Sequence, residues 1–191
     1  MKQLKINVRE VLKAALLRTK TTTQRKAWRE NSSYVGDNLV HLFKGSGSIL
    51  KYKTLSKPCK YEVGETLEMV WTGSQSVFMT EFRTLNLSKE RANEIMKMYP
   101  VLGYIKVDDI DKITIERRND DVGLYEIEFV DKGYSWTYKG LCELCTNNII
   151  DLSKTEGFKD PETMFKFLEE YAPEIKERPM PFWLIGLEWI E

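Results

Sequence analysis

Residues 16–25 read "LLRTKTTTQR". Two leucines close a helical pattern, and a lysine among threonines then breaks it. Upstream, Val8, Val11, Leu12, Ala15 and Leu16 recur at helical spacing. Asn7 is a candidate cap, and Glu10, three positions on, would complete a capping box. Threonines lose rotamer freedom in a helix and compete for its backbone hydrogen bonds, so the helix is predicted to end at the threonine run. Leu4 and Ile6 alternate with polar neighbours and predict a short strand ahead of it.

Working outward, "VGDNLVHLF" (35–43) reads as a turn and then a strand. Residues 44–60 hold Gly45, Gly47, serines and lysines, predicting an exposed connection or a weak hairpin. "YEVGETLEMVW" (61–71) repeats the turn-then-strand pattern, and "SVFMTEF" (76–82) supplies a further β candidate. Ser88 opens a helix that ends before Pro100, with Ala92, Ile95, Met96 and Tyr99 on its apolar face. Alternation in "YIKV" (104–107), "KITIE" (112–116), "YEIEF" (125–129) and "YSWTY" (134–138) makes the following stretch mostly β.

"LCELC" (141–145) opens a short helix. The last helix is punctuated by Asp160 at its cap, Pro161 at its first position and Pro173 beyond its end. "FWLIGLEWI" (182–190) then reads as a terminal strand within a sheet. Strands cluster mid-chain instead of alternating with helices. The prediction is an α+β fold, a curled, barrel-like, mostly antiparallel sheet with helices at its rim.

The 191 residues, 42% of them apolar, can build a core without a metal or disulfide. No run of about 18 apolar residues and no signal-peptide pattern is present, so a cytoplasmic protein without membrane association is expected. Cys142 and Cys145 have half the spacing of a zinc or redox site, but Cys59 and His41 are the only candidates to complete it. Inert thiols, no metal and no cofactor are expected. Charge is uneven: residues 1–60 carry 14 Lys+Arg against 3 Asp+Glu, and residues 61–191 carry 15 against 26. That asymmetry permits a basic face for phosphate, while zero net charge disfavours indiscriminate duplex binding.

The quoted stretch carries candidate chemistry. A threonine hydroxyl is a poor nucleophile until a neighbour shares its proton. Lys20 would serve Thr23 if burial or Arg25 lowered its pKa. Thr21 and Thr22 offer polar contacts or backbone oxyanion donors, and Arg25 a hold on phosphate or carboxylate. Glu156, in a loop "KTEGF" (154–158), would orient the lysine. Trp28, among Arg25, Lys26 and Arg29, is a candidate for stacking on a base, with Trp71 a second. Trp136, Trp183 and Trp189 are expected to pack.

These segments resemble the ASCH domain family. "LLRTKTTTQR" resembles its lysine–threonine motif, "VGDNLVHLF" its following turn and strand, "KTEGFKDPETMFKFLEEY" its Glu-Gly-Phe segment and helix, and "FWLIGLEWIE" its closing strand. "YIKVDDIDKITIER" is similar to the central strands of many phage-encoded members. The resemblance implies a PUA-like, mostly antiparallel β-barrel with flanking helices over one domain, 1–191. An insertion around 44–100 and a β-rich extension around 124–138 depart from the compact members. Arg18 stands where the family usually has glycine, and an additional phosphate contact is one reading of it.

The family is described as binding RNA or modified nucleosides, and a small branch hydrolyses N4-acetylcytidine with a lysine, a threonine and a glutamate. By position these correspond to Lys20, Thr23 and Glu156, with the motif arginine at Arg25. The resemblance implies RNA or modified-nucleoside binding, for which Thr21, Thr22, Arg25, Trp28 and Arg18 are the candidate contacts. The alternatives are a metal-independent amidohydrolase acting on an acylated cytosine, and a phage-type factor that engages a host protein through the inserted segments. Whether the chain is an enzyme stays open at this point.

Overall fold

The computed structural model describes residues 1–27, 41–45, 48–52, 58–119 and 123–190. Strand β1 (Lys2–Ile6) leads into helix α1 (Arg9–Leu16), whose Val11, Leu12, Ala15 and Leu16 are buried. The capping expectation fails here: extended Val8 is the N-cap and no side chain caps the helix. The helix ends at Leu16, short of the threonine run, and Arg18 beyond it lies in the left-handed region; strand β2 (Thr22–Lys26) follows, so the threonines enter the sheet. A hairpin of β3 (His41–Gly45) and β4 (Ser48–Tyr52) forms a separate two-stranded sheet.

Strand β5 (Thr66–Trp71) pairs parallel with β1 and antiparallel with the start of β6 (Val101–Asn119). Between them lie α2 (Gln75–Thr84) and α3 (Lys89–Met98). The segment "SVFMTEF" is therefore helical, not β. Ser74 caps it by accepting the Val77 N–H, and Phe78 stacks on Phe82 one turn later, a spacing that brings rings together only on a helix. The expected helix after Ser88 is present, and the Ser88 hydroxyl accepts the Arg91 N–H.

"YIKV" and "KITIE" are one strand rather than two. β6 runs for 19 residues, with a shift in its pairing between Val107 and Ile110. Such a bulge bends a strand without ending it. Asp109 occupies the shift, and its Oδ1 accepts the Gly186 N–H at 3.2 Å. Strand β9 (Met180–Ile190) lies along one edge of β6, while β5 and β7 (Leu124–Phe129) share the other. β8 (Tyr134–Tyr138) pairs with β7, and β2 pairs with β9.

The α+β class and the flanking helices hold, but the expected PUA-like closed barrel does not. The seven-stranded sheet is open, with the path ending at β1, β8 and β2. Where β1 and β2 approach, no ladder joins them among the described residues. A side chain spans the gap instead, as Arg25 Nη2 donates to the Lys5 carbonyl at 3.2 Å.

Helix α4 (Glu143–Glu156) packs on β8 and ends at Gly157 in the left-handed conformation. The carboxylate expected in a loop, Glu156, is thus the last residue of a helix. Helix α5 (Pro161–Tyr171) has the expected Asp160 cap, whose Oδ1 accepts the Thr163 N–H at 2.8 Å. It buries Met164, Phe165 and Leu168 against the sheet core of Leu4, Leu67, Ile105, Ile113 and Phe182. Among the described residues no helix is long and apolar enough to cross a membrane.

Candidate functional site

The gap between β1 and β2 opens into a cleft of about 630 Å³. One side is the end of β1 and the start of α1, from Lys5 to Val11. Lys20 and residues Thr23, Gln24 and Arg25 form a second side, and Glu156 at the end of α4 forms the floor. Phe158, Phe167, Leu168 and Tyr171 complete it. An open sheet is what makes room for this cleft, since a continued ladder from β1 to β2 would fill the gap.

Local sequence places the floor. Arg18, φ 58°, sits in the left-handed region and turns the chain out of α1. The Thr19 and Lys20 amides both donate to Ala14 O, and the Thr21 amide donates to Thr155 O at 3.0 Å, tying the turn to α4. Trp189 Nε1 donates to Lys20 O at 3.0 Å, and the Leu187 amide donates to Thr21 O at 2.7 Å. On the other side, Gly157 at φ 97° lets α4 end against α1: a β-carbon there would lie 2.9 Å from Ala14 Cβ and 3.2 Å from Val11 Cα.

Lys20 is 2% exposed and Glu156 5%. The ammonium donates to Thr22 O at 2.6 Å, Glu156 O at 2.8 Å and Glu156 Oε2 at 3.1 Å. Three acceptors engage all three N–H groups of a lysine. Burial pushes the Lys20 pKa down, Glu156 opposes that shift, and Arg25 adds to it. Glu156 Oε1, by contrast, is buried with no hydrogen-bond partner. Gln24 Oε1 is in the same state, with its Nε2 directed at Met164 Sδ at 4.0 Å.

The nominated residues divide. Lys20, Thr23, Arg25 and Glu156 share the cleft. Thr21 and Thr22 do not line it. The Thr21 N–H is engaged by Thr155, and the Thr22 hydroxyl shares a hydrogen bond with the Thr155 hydroxyl at 3.0 Å. Arg18 lies elsewhere as well, paired with Glu94 at 3.1 Å and set over the Trp189 ring. Trp28 falls outside the described residues. Trp71 is core, and its Nε1 donates to Ser74 O. Cys142 caps α4, its Sγ accepting the Cys145 N–H, and Cys59 is half-buried. Among the described residues no cluster of three His, Cys, Asp or Glu side chains is arranged to hold a metal.

Sequence reading passed over Gln24 and the aromatic wall. Phe158 and Phe167 lie 5.4 Å apart, and Phe167 stacks on Tyr171 at 5.8 Å with planes 8° from parallel. Phe167 and Tyr171 are one helical turn apart on α5, a signal available in the sequence as an i, i+4 aromatic pair. Lys5 and Arg9 join Arg25 at the rim, with Arg9 paired to Glu81 at 2.7 Å.

Comparison with protein-family models, with curated proteins and with solved structures finds no match to this chain.

Proposed function

We propose that the cleft binds a nucleobase, as part of RNA or as a modified nucleoside. The observation that carries the reading is a buried carboxylate with one free oxygen, set beside a wall of stacked rings and under a rim bearing Lys5, Arg9 and Arg25. A base is held by a π surface to stack on and a hydrogen-bonding group for its edge, and within RNA the cations would meet the adjoining phosphate. The resemblance of the lysine–threonine segment to RNA- and nucleoside-binding domains points the same way.

Titration of the protein with nucleosides and with a short single-stranded RNA, followed by amide chemical shifts, tests this. Saturable shifts centred on β2, the end of α4 and α5 are expected. No binding at millimolar nucleoside or micromolar RNA would refute it.

A second reading, amide hydrolysis of an acylated cytosine, is favoured by Thr23 lying in the same cleft as a lysine whose pKa burial lowers. Thr23 Oγ1 would attack the acyl carbon and pass its proton to neutral Lys20. The protonated lysine would hand that proton to the departing amine, and water would then release the acid from the acyl-threonine. Lys20 must first lose a proton, because its three N–H groups are engaged; that requirement places binding first. Acetate release from N4-acetylcytidine that disappears in Thr23→Val is the expected result for this reading, and no release would remove it.

A further inference from the structure

The two unpartnered acceptors carry the argument further, on the premise that the cleft binds a nucleobase. Glu156 Oε1 and Gln24 Oε1 are both buried, both belong to residues lining the cleft, and neither receives a donor. Gln24 is 7% exposed, so solvent access does not relieve it. The nearest cation cannot supply the missing donor, since Lys20 directs its three N–H groups to Thr22 O, Glu156 O and Glu156 Oε2. The Gln24 Nε2 is directed at the Met164 sulfur, a weak acceptor, at 4.0 Å.

We infer that the cleft selects bases by an amino-bearing edge, whose N–H groups are received by Glu156 Oε1 and Gln24 Oε1. A buried acceptor left without a donor is costly, and a bond to a charged acceptor is among the stronger ones. A ligand that brings N–H groups relieves both oxygens. Cytosine offers an exocyclic amine, and guanine offers an amine beside a ring N–H. Uracil and hypoxanthine put a carbonyl or a bare carbon where the amine would be, and a carbonyl facing Glu156 would meet a carboxylate lone pair. Sites built for a polar group reject the analogue that lacks it more strongly than apolar pockets reject a change in size.

The test uses matched pairs that differ by the amine: cytidine against uridine, and guanosine against inosine, measured by calorimetry on the intact protein. The amino member of each pair that binds is expected to be tighter by about tenfold or more. Equal affinities within the pairs would overturn the inference while leaving the nucleobase reading in place. Absence of binding by all four and by the short single-stranded RNA would overturn both.

Two variants complete the test. Glu156→Gln removes the carboxylate, and Gln24→Met removes the second acceptor while leaving the Lys20–Glu156 pair intact. If Glu156→Gln fails to fold, Gln24→Met carries the experiment. A smaller preference for the amine in Gln24→Met is expected, and a preference unchanged in that variant would sink the assignment.

Discussion

Lys20 and Glu156 lie 136 positions apart in the chain and meet in a buried ion pair, Nζ 3.1 Å from Oε2. The same ammonium holds the Glu156 backbone carbonyl, so one lysine fixes both the side chain and the last turn of α4. This contact ties the helix-one turn to the far end of the chain and sets the floor of the cleft.

Breaking that pair from one side should be expensive. Lys20→Met leaves a buried carboxylate without its cation and is expected to cost about 3–5 kcal/mol in urea unfolding. The double variant Lys20→Met/Glu156→Leu should recover most of that loss, because two apolar groups of similar size need no partners. Additive losses in the double-mutant cycle would show that the pair is not coupled.

Gly157→Ala combines a left-handed backbone with a clash against α1, where Ala14 Cβ and the Val11 backbone leave no room. A destabilisation on the order of 2–4 kcal/mol is expected from the two effects together. Binding should weaken too, since Glu156 precedes the displaced residue. Thermal unfolding and nucleoside titration of the same sample measure both.

Arg18 separates backbone from side chain. Arg18→Ala keeps the left-handed strain while losing the Glu94 pair and the contact over Trp189, whereas Arg18→Gly loses the same contacts but relieves the strain. Arg18→Gly is therefore expected to be more stable than Arg18→Ala by about 1 kcal/mol. Equal stabilities would mean that the turn is not strained at this position.

Tyr171 is the exposed end of the aromatic wall. Tyr171→Ala should weaken nucleoside binding by about 5- to 30-fold if a base stacks there, following from about 1–2 kcal/mol of stacking. Tyr171→Phe should bind nearly as well as the parent. Fluorescence or calorimetric titration distinguishes these, and a Tyr171→Ala protein with full affinity would place the base elsewhere.

Acid should loosen α5. Burial raises the Glu169 pKa, but the Tyr125 hydroxyl at 2.6 Å, Lys176 and Arg117 outweigh it and hold the carboxyl below its ordinary 4.5. The Tyr138 hydroxyl does the same for Glu162, with help from Lys139. A depressed carboxylate binds fewer protons folded than unfolded, so its stabilisation is present above about pH 4.5 and is lost as the pH falls through the lower, folded value. Glu169→Gln should flatten the fall in stability below pH 4.5. An unchanged acid limb in that variant would assign the loss to other groups.

Local patterns carried most of the elements. Asp160, Pro161 and Ser88 mark helix starts because short-range capping decides them, whereas the first helix ends at Leu16, before the threonine run expected to stop it. "SVFMTEF" misled because a short apolar run fits either period, and a cap at Ser74 with ring-on-ring packing of Phe78 and Phe82 selected the helix. Nor could periodicity show that "YIKV" and "KITIE" join across a bulge, because the Asp109–Gly186 contact that accommodates it lies 77 positions apart.

Residue types at one short stretch were enough to nominate an amine, a hydroxyl and an arginine, since that chemistry is local. Whether the sheet closes was not, because closure depends on β1 and β2 forming a ladder, and their strand directions and edges are assigned by partners far along the chain. The same long-range geometry turned Thr21 and Thr22 away toward Thr155, left Glu156 Oε1 and Gln24 Oε1 without donors, and raised Phe167 and Tyr171 beside them. Capping and turn chemistry act over three or four residues; a cleft needs five elements to arrive at one place, and that is a property of packing.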